Sequence, residues 1–227
     1  MSVLAIDTAH AAVAACVIDK QGVALSSESQ PMTRGHSEAL LPLVSRVLQS
    51  AGIRFSDLTR VAVVVGPGSF TGIRIGISAA RAIGLASRIP VVGVASLPAF
   101  AAPLISTDAS GVIAAAIDAK HGQVYVQGFS SKGNAVLPPR VAKVRDAVRA
   151  LGAGPLRLVG SGAAMMAIEA WSMGMEADVI GDAASPDIFY VARLGLLVDP
   201  DQAPARPLYL KAPDAKPPTG GVIARTA

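Results

Sequence analysis

The chain has 227 residues, 52% of them hydrophobic and 16% charged, which is enough apolar material for real cores and excludes a largely disordered protein. A formal charge of +4 permits contact with nucleic acid, but three tyrosines and one tryptophan offer little for base stacking. The single cysteine, Cys16, excludes a disulfide framework or a thiolate metal site within one chain and fits a reducing cytoplasm. The N-terminal apolar stretch, broken by Asp7 and His10, predicts neither a signal peptide nor a membrane anchor.

In chain order, Val3 to Ile6 predicts a strand ending at Asp7, and strands over Ala12 to Ile18 and Val23 to Glu28 follow, with a turn at Gly22. Glu38 to Gly52 carries apolar residues at Leu40, Leu41, Val44, Val47, Leu48 and Ala51, the spacing of an amphipathic helix. Ser37 is its expected N-cap, and Pro42 is expected to kink or delay the opening turn. Val61 to Val65 has no polar side chain and reads as a strand buried on both faces. It runs into a Gly66, Pro67, Gly68, Ser69 turn and then a helix reaching Ser87. A short strand at Val91 to Val94 and a helix starting near Ser96 come next, with Pro98 suited to the first turn.

The order then begins again near Val112. Asp118, Val124 and Gly133 each follow Asp7, Val13 and Gly22 by 111 residues. A helix around Val141 to Leu151, a strand at Leu156 to Val159 and a Gly160, Ser161, Gly162 turn echo the first half. A helix over Ala163 to Ser172, a strand at Asp178 to Ile180 and a helix over Pro186 to Leu197 complete the copy. The expectation is an α/β protein of two lobes, 1–107 and 108–212, each built as three antiparallel strands followed by alternating helices and strands. The Pro- and Gly-rich tail, 213–227, is predicted to be disordered.

Several residues invite a functional reading. Asp7 with Thr8, and Asp118 in the second copy, end buried strands at glycine turns. Two such acids across a cleft suit a metal nucleotide in a two-lobed phosphotransferase, although a strand-end Asp that accepts bonds from its own hairpin is the commoner arrangement. The Gly66 and Gly68 turn could cradle phosphate on backbone amides, or could serve tight packing alone; no Lys follows as in a Walker loop. His10, His36 and His121 are too dispersed for a local metal site. Ser69 and Ser161 lie in glycine turns, but neither is in a nucleophile elbow. Gly72, Gly76, Ala80 and Gly84 form a line of small residues along the central helix. Such a face packs closely on the chain's own sheet or on a helix of another subunit, and the residues leave both open. Arg74 and Arg81 lie on one side of that helix.

The motifs LAIDT at the N-terminus, RGHSEALLP (34–42), VGPGSFTGIRIG (65–76), IDAKHGQVY (117–125) and PLYLK (207–211) together resemble the TsaB, or YeaZ, family over nearly the whole chain. The resemblance implies two ribonuclease-H-like lobes of the actin, Hsp70 and sugar-kinase (ASKHA) type. It implies a non-catalytic dimerisation subunit of the complex that makes N6-threonylcarbamoyladenosine next to the anticodon in tRNAs reading codons that begin with A. The implied partners are a TsaD-like catalytic subunit, a TsaE-like ATPase and, through the complex, tRNA, with a homodimer when alone and a cytoplasmic location. No catalytic residue, cofactor or metal is expected in this chain. TsaD-like sequences carry two metal-binding histidines spaced H-x-x-x-H, and laying that pattern on Val94 to Phe100 places Ser96 and Phe100 there. The alternative is an enzyme acting alone, a glycoprotease-like metallopeptidase or an ATP-dependent phosphotransferase. The small-residue line and its apolar neighbours predict a partner or dimer surface of Leu41, Val44 and Leu48 of the first helix with Gly72, Arg74, Ile75, Gly76, Ala79, Ala80 and Ile83 of the second. A vestigial nucleotide cleft is expected at Asp7, Thr8, Gly66, Gly68 and Asp118.

Overall fold

A computed structural model describes residues 2–105 and 110–211, so the tail expectation for 213–227 lies outside the described residues. The strands are β1 (Ser2–Asp7), β2 (Ala12–Asp19), β3 (Ala24–Pro31), β4 (Leu58–Gly66) and β5 (Val91–Ala95), which form one five-stranded sheet in the order β3-β2-β1-β4-β5. The second sheet holds β6 (Val112–Asp118), β7 (Gln123–Phe129), β8 (Ala135–Lys143), β9 (Leu156–Val159) and β10 (Ala177–Gly181), in the order β10-β9-β6-β7-β8. In each, the first three strands pair antiparallel and the last two add in parallel. The two orders are the same once the second is read backwards, which is the repeat seen at Asp7 and Asp118. This is the α/β, two-sheet ASKHA-type architecture that the sequence suggests.

The helices are α1 (His36–Ala51), α2 (Phe70–Ser87), α3 (Ser96–Ala101), α4 (Val144–Ala150), α5 (Ala163–Ser172) and α6 (Ile188–Leu197). Helices α1 and α2 cover one face of the first sheet; α4 and α5 cover one face of the second. The opposite faces are covered crosswise. Leu97, Phe100 and Ala101 of α3 pack on Ile113, Ala115 and Ile117 of β6, while Ile188, Val191 and Ala192 of α6 join the core of the first sheet. Gly195 lets α6 approach closely, since a Cβ there would stand 2.2 Å from that of Ala62. Arg60 donates to the carbonyls of Gly195 at 2.7 Å and Val198 at 2.8 Å, which satisfies the open end of α6. The helix over 186–197, read as completing the second lobe, therefore serves the first.

Two local expectations are corrected. The N-cap of α1 is Gly35, at φ 84°, and Ser37 instead donates to Glu38 at 2.8 Å. Pro42 lies inside an unbroken helix on its exposed side, where the carbonyl freed by its missing N–H can reach water. The segment after α6 runs back along β5, with Gly93 N–H donating to Ala203 O at 2.8 Å and Pro204 bridging Val92 antiparallel. Farther on, Leu208 N–H donates to Val65 O at 2.8 Å.

Cys16 sits in the middle of β2, fully buried, and burial pushes its thiol up to about 11. We expect no labelling by a thiol reagent at pH 8 in native buffer and rapid labelling in denaturant, read as the rate of adduct formation.

Candidate functional site

Three strand ends meet between the two sheets. β1 delivers Asp7 and Thr8, β4 delivers Gly66 to Ser69, and β6 delivers Asp118. Asp7 is 1% exposed and turns back on its own hairpin, its carboxylate accepting from Ala9 N–H at 2.7 Å. Burial pushes its carboxyl above the usual range, opposed in part by His10. Asp118 accepts from Lys120 twice, at 2.8 Å from the backbone N–H and 2.8 Å from Nζ, and Lys120 holds its carboxyl below the usual range. The two carboxyl groups are thus shifted in opposite directions, and each is engaged with its own turn rather than with the other. Among the described residues no three His, Cys, Asp or Glu side chains converge as metal ligands.

The glycine turn is built for close packing. A Cβ on Gly68 would stand 2.5 Å from Ala9 O, and one on Gly66, where φ is +107°, would meet Ile73 and Leu208. Ser69 N–H is spent on Ala9 O at 2.8 Å, and the Ser69 hydroxyl caps α2 by accepting from Gly72 N–H at 3.2 Å. Thr8 donates to Gly72 O at 2.7 Å. A cleft of about 560 Å³ does open here, lined by Gly68 and Asp118 together with His10, Phe70, Tyr125 and Tyr209. Asp7, Thr8 and Gly66 do not line it: they lie beneath the turn, held by the hairpin and by α2. His10 is largely buried at the edge of the cleft, within 3.0 Å of the Ser96 hydroxyl and edge-on to Phe100 at 5.5 Å.

We expect Asp7→Asn to hold or raise stability at neutral pH, because the amide oxygen still accepts from Ala9 while the cost of burying a charge is removed. A carboxyl whose folded pKa is raised favours the native state fully below its unfolded value of 3.8 and loses that contribution as pH rises through the folded pKa. The melting temperature of wild type relative to Asp7→Asn should therefore fall as pH is raised from below 3.8, which melting curves across pH would check.

The second candidate region is the outer side of α1 and α2. Gly72, Gly76, Ala80 and Gly84 do not face it. A Cβ on Gly72 would stand 2.0 Å from Thr8 O, one on Gly76 2.7 Å from Thr8 Oγ1 and one on Gly84 2.3 Å from Val91 Cγ2; Ala80 is fully buried. The small-residue line is the seam between α2 and its own sheet. Val44 and Leu48 are likewise in the chain's own core. What remains outside is a groove of about 770 Å³ lined by Leu41, Phe55, Ala79, Ala82, Ile83 and Ala86. Leu41 is 52% exposed and the neighbouring Leu85 84%.

Ile75 is half-buried and Arg74 exposed. Arg74 lies 3.8 Å above the Phe70 ring and donates to the Tyr209 hydroxyl at 3.1 Å, while Phe70 and Tyr209 stack at 5.0 Å. Arg81 donates to Ala205 O at 2.7 Å. Both arginines thus fasten the C-terminal segment. Sequence reading missed Phe55, Ala82, Leu85 and Ala86, although Ala79, Ala82, Ile83 and Ala86 follow the i, i+3, i+4, i+7 spacing of a single helical stripe.

The family model described as "TsaD: tRNA N6-adenosine threonylcarbamoyltransferase" matches residues 27–182. The chain is 35% identical over 136 residues to "tRNA threonylcarbamoyladenosine biosynthesis protein TsaB" of Escherichia coli, an alignment spanning 60% of this chain and only 58% of that protein. It is 35% identical over 217 residues to an uncharacterised protein of Mycobacterium bovis, covering 95% of this chain and 94% of that one. Among solved structures, YeaZ from Pseudomonas aeruginosa superposes with a TM-score of 0.73 at 26% identity, covering 92% of this chain and 99% of that one. Component A of (R)-2-hydroxyglutaryl-CoA dehydratase from Acidaminococcus fermentans shares the fold alone, at TM-score 0.50 and 9% identity over 86% of this chain and 98% of that one. Among the described residues no helix is long and apolar enough to cross a membrane. The chain belongs to the family of that threonylcarbamoyltransferase model, in its TsaB/YeaZ branch.

Proposed function

We propose that this chain works in tRNA threonylcarbamoyladenosine biosynthesis as a non-catalytic subunit that holds a TsaD-like catalytic protein through the α1 and α2 groove. The carrying observation is that groove: Leu41, Phe55 and Leu85 stand in solvent around the short side chains of Ala79, Ala82 and Ala86, with buried Ile83 at its floor. Short residues on an exposed helix let a partner helix come near, and the surrounding large ones supply apolar area to bury. A TsaD-like protein of the same fold would offer an equivalent pair of helices, and a second copy of this chain would compete for the same surface.

The inter-lobe cleft supports the non-catalytic half of the reading. Phe100 has no ligand atom, and Ser96 is already engaged with His10. Asp7 sits beneath the turn with its carboxyl pushed toward the neutral form. In this reading a TsaE-like ATPase and tRNA join through the complex, in the cytoplasm. The test is reconstitution. Threonylcarbamoyl transfer to tRNA should require both this chain and a TsaD-like subunit, and should persist with Asp7→Asn. Transfer, ATP turnover or peptidase activity by this chain alone, abolished by Asp7→Asn, would replace the reading with an enzymatic one.

A further inference from the structure

Aromatic residues are scarce in this chain, with three tyrosines, five phenylalanines and one tryptophan, yet Tyr125, Tyr209 and Phe70 all line the inter-lobe cleft. Its two walls come from different halves of the repeat. Phe70 opens α2, and Tyr209 follows Leu208, which is bonded to Val65, so both stand on the side of the first sheet. Asp118 of β6 and Tyr125 of β7 stand on the side of the second, with Lys120 in the turn between those strands. Phe70 and Tyr209 stack on each other, which covers one face of each ring, and still remain 43% and 45% exposed. The cleft, about 560 Å³, lies within the range of roughly 300–1,000 Å³ of pockets that hold a single small ligand.

We infer that this cleft binds an unpaired nucleotide of an RNA strand, its base stacked on the aromatic side chains and its phosphates met by Lys120 and Lys211. This goes beyond the proposed role, which brings tRNA only through the complex. That the strand is RNA rests on that role; that a nucleotide enters the cleft rests on the cleft itself. Exposed aromatic rings accept a base of any sequence, because every base has a π-face, and cations along the same groove follow the backbone. A purely apolar ligand would have to cover two lysines and a carboxylate on the same walls without pairing them.

Charge selects a ligand that carries phosphate. Lys120 and Lys211 line the cleft and Arg74 lies against its aromatic pair, while Asp118 is the one acid among the described lining residues. The Lys120 side chain is 77% exposed in its ion pair with Asp118. A pair this open contributes little, so Lys120 can turn to a phosphate and leave Asp118 to accept from a ribose 2′-hydroxyl. The turn that presents Lys120 points the same way. Lys120 and His121 both take left-handed backbone, at φ 62° and 55°, where tight hairpins favour Asn and Gly. A lysine kept at such a position fits a lysine whose side chain is put to use.

The test is fluorescence anisotropy with the full chain and no partner protein. The probes are a short labelled single-stranded RNA of mixed sequence, the same RNA as a duplex, and a nucleoside monophosphate as competitor. The single strand should bind about tenfold more tightly than the duplex, whose bases are already stacked on one another. Tyr125→Leu and Tyr209→Leu should each weaken single-strand binding about tenfold, with folding followed by thermal melting. Tyr125 lies outside the C-terminal segment, so its variant decides the matter if Tyr209→Leu loosens that segment. Lys120→Gln combined with Lys211→Gln should flatten the slope of log affinity against log salt by about 1.4, at about 0.7 per phosphate contact on a single strand. Equal affinity for duplex and single strand, or folded tyrosine variants that bind as wild type does, would mean loose attraction to phosphate and overturns the inference. A nucleoside monophosphate that binds as tightly as the RNA overturns the assignment to a strand. Single-strand binding that the tyrosine variants lose supports the inference even where reconstitution fails, a failure that would count against the proposed function alone.

Discussion

Replacing Ala82 by glutamate should leave the protein folded and lower its affinity for a TsaD-like partner by two orders of magnitude or more. Ala82 lies on the exposed side of α2 within the apolar groove and makes no contribution to the core. A surface change of this kind alters stability by about 0.5 kcal/mol or less. In a closed interface the new carboxylate would be stripped of water, a cost of several kcal/mol, where each 1.4 kcal/mol is about tenfold in affinity. Sedimentation with the partner and thermal melting of the isolated variant read the two effects separately. Unchanged affinity in a folded variant would place the interface elsewhere.

The opposite outcome is expected of Gly72→Ala. The added methyl would lie 2.0 Å from the carbonyl oxygen of Thr8 and 3.0 Å from its carbon, both backbone atoms that cannot rotate away. Relief requires α2 to lift from the end of β1, which also breaks the bond from Thr8 Oγ1 to Gly72 O. Overpacking of this severity costs about 3 kcal/mol, and in a domain of this size each kcal/mol lowers the melting temperature by roughly 2–4 °C. A fall of about 6–12 °C is expected on that scaling. Gly154→Ala is the control, because nothing lies within 4 Å of the added carbon. That variant should melt at or slightly above the wild-type temperature. If both variants melted alike, the close approach at Gly72 would not be a requirement of the fold.

Most strands were legible because their signals are local. The Val61 to Val65 run, the Gly22 turn and the recurrence of Asp7 at Asp118 need no tertiary knowledge. The destination of α6 was not legible, because a helix apolar on one side does not record which sheet will receive it. The face of α2 was undecided for a related reason. Its stripe of glycine and alanine and its stripe of Ala79, Ala82, Ile83 and Ala86 are both apolar, so periodicity alone does not tell the inner side from the outer. Only the absence of room for a Cβ at Gly72 and Gly76 separates them. The aromatic and arginine cluster of Phe70, Arg74 and Tyr209 joins residues far apart in sequence, and no spacing rule anticipates it.

The crosswise placement of α3 and α6 also sets an order of events during synthesis. The strands of the first sheet leave the ribosome early, yet the helix that covers their inner face is encoded at 188–197, more than a hundred residues after β4. At about 5–20 residues per second, that face waits on the order of ten seconds for its cover. Nascent chains of this protein thus carry Ala62 and Val94 open to water until residues 188–197 have been made. The first half becomes a finished structure only when the second half has already been made.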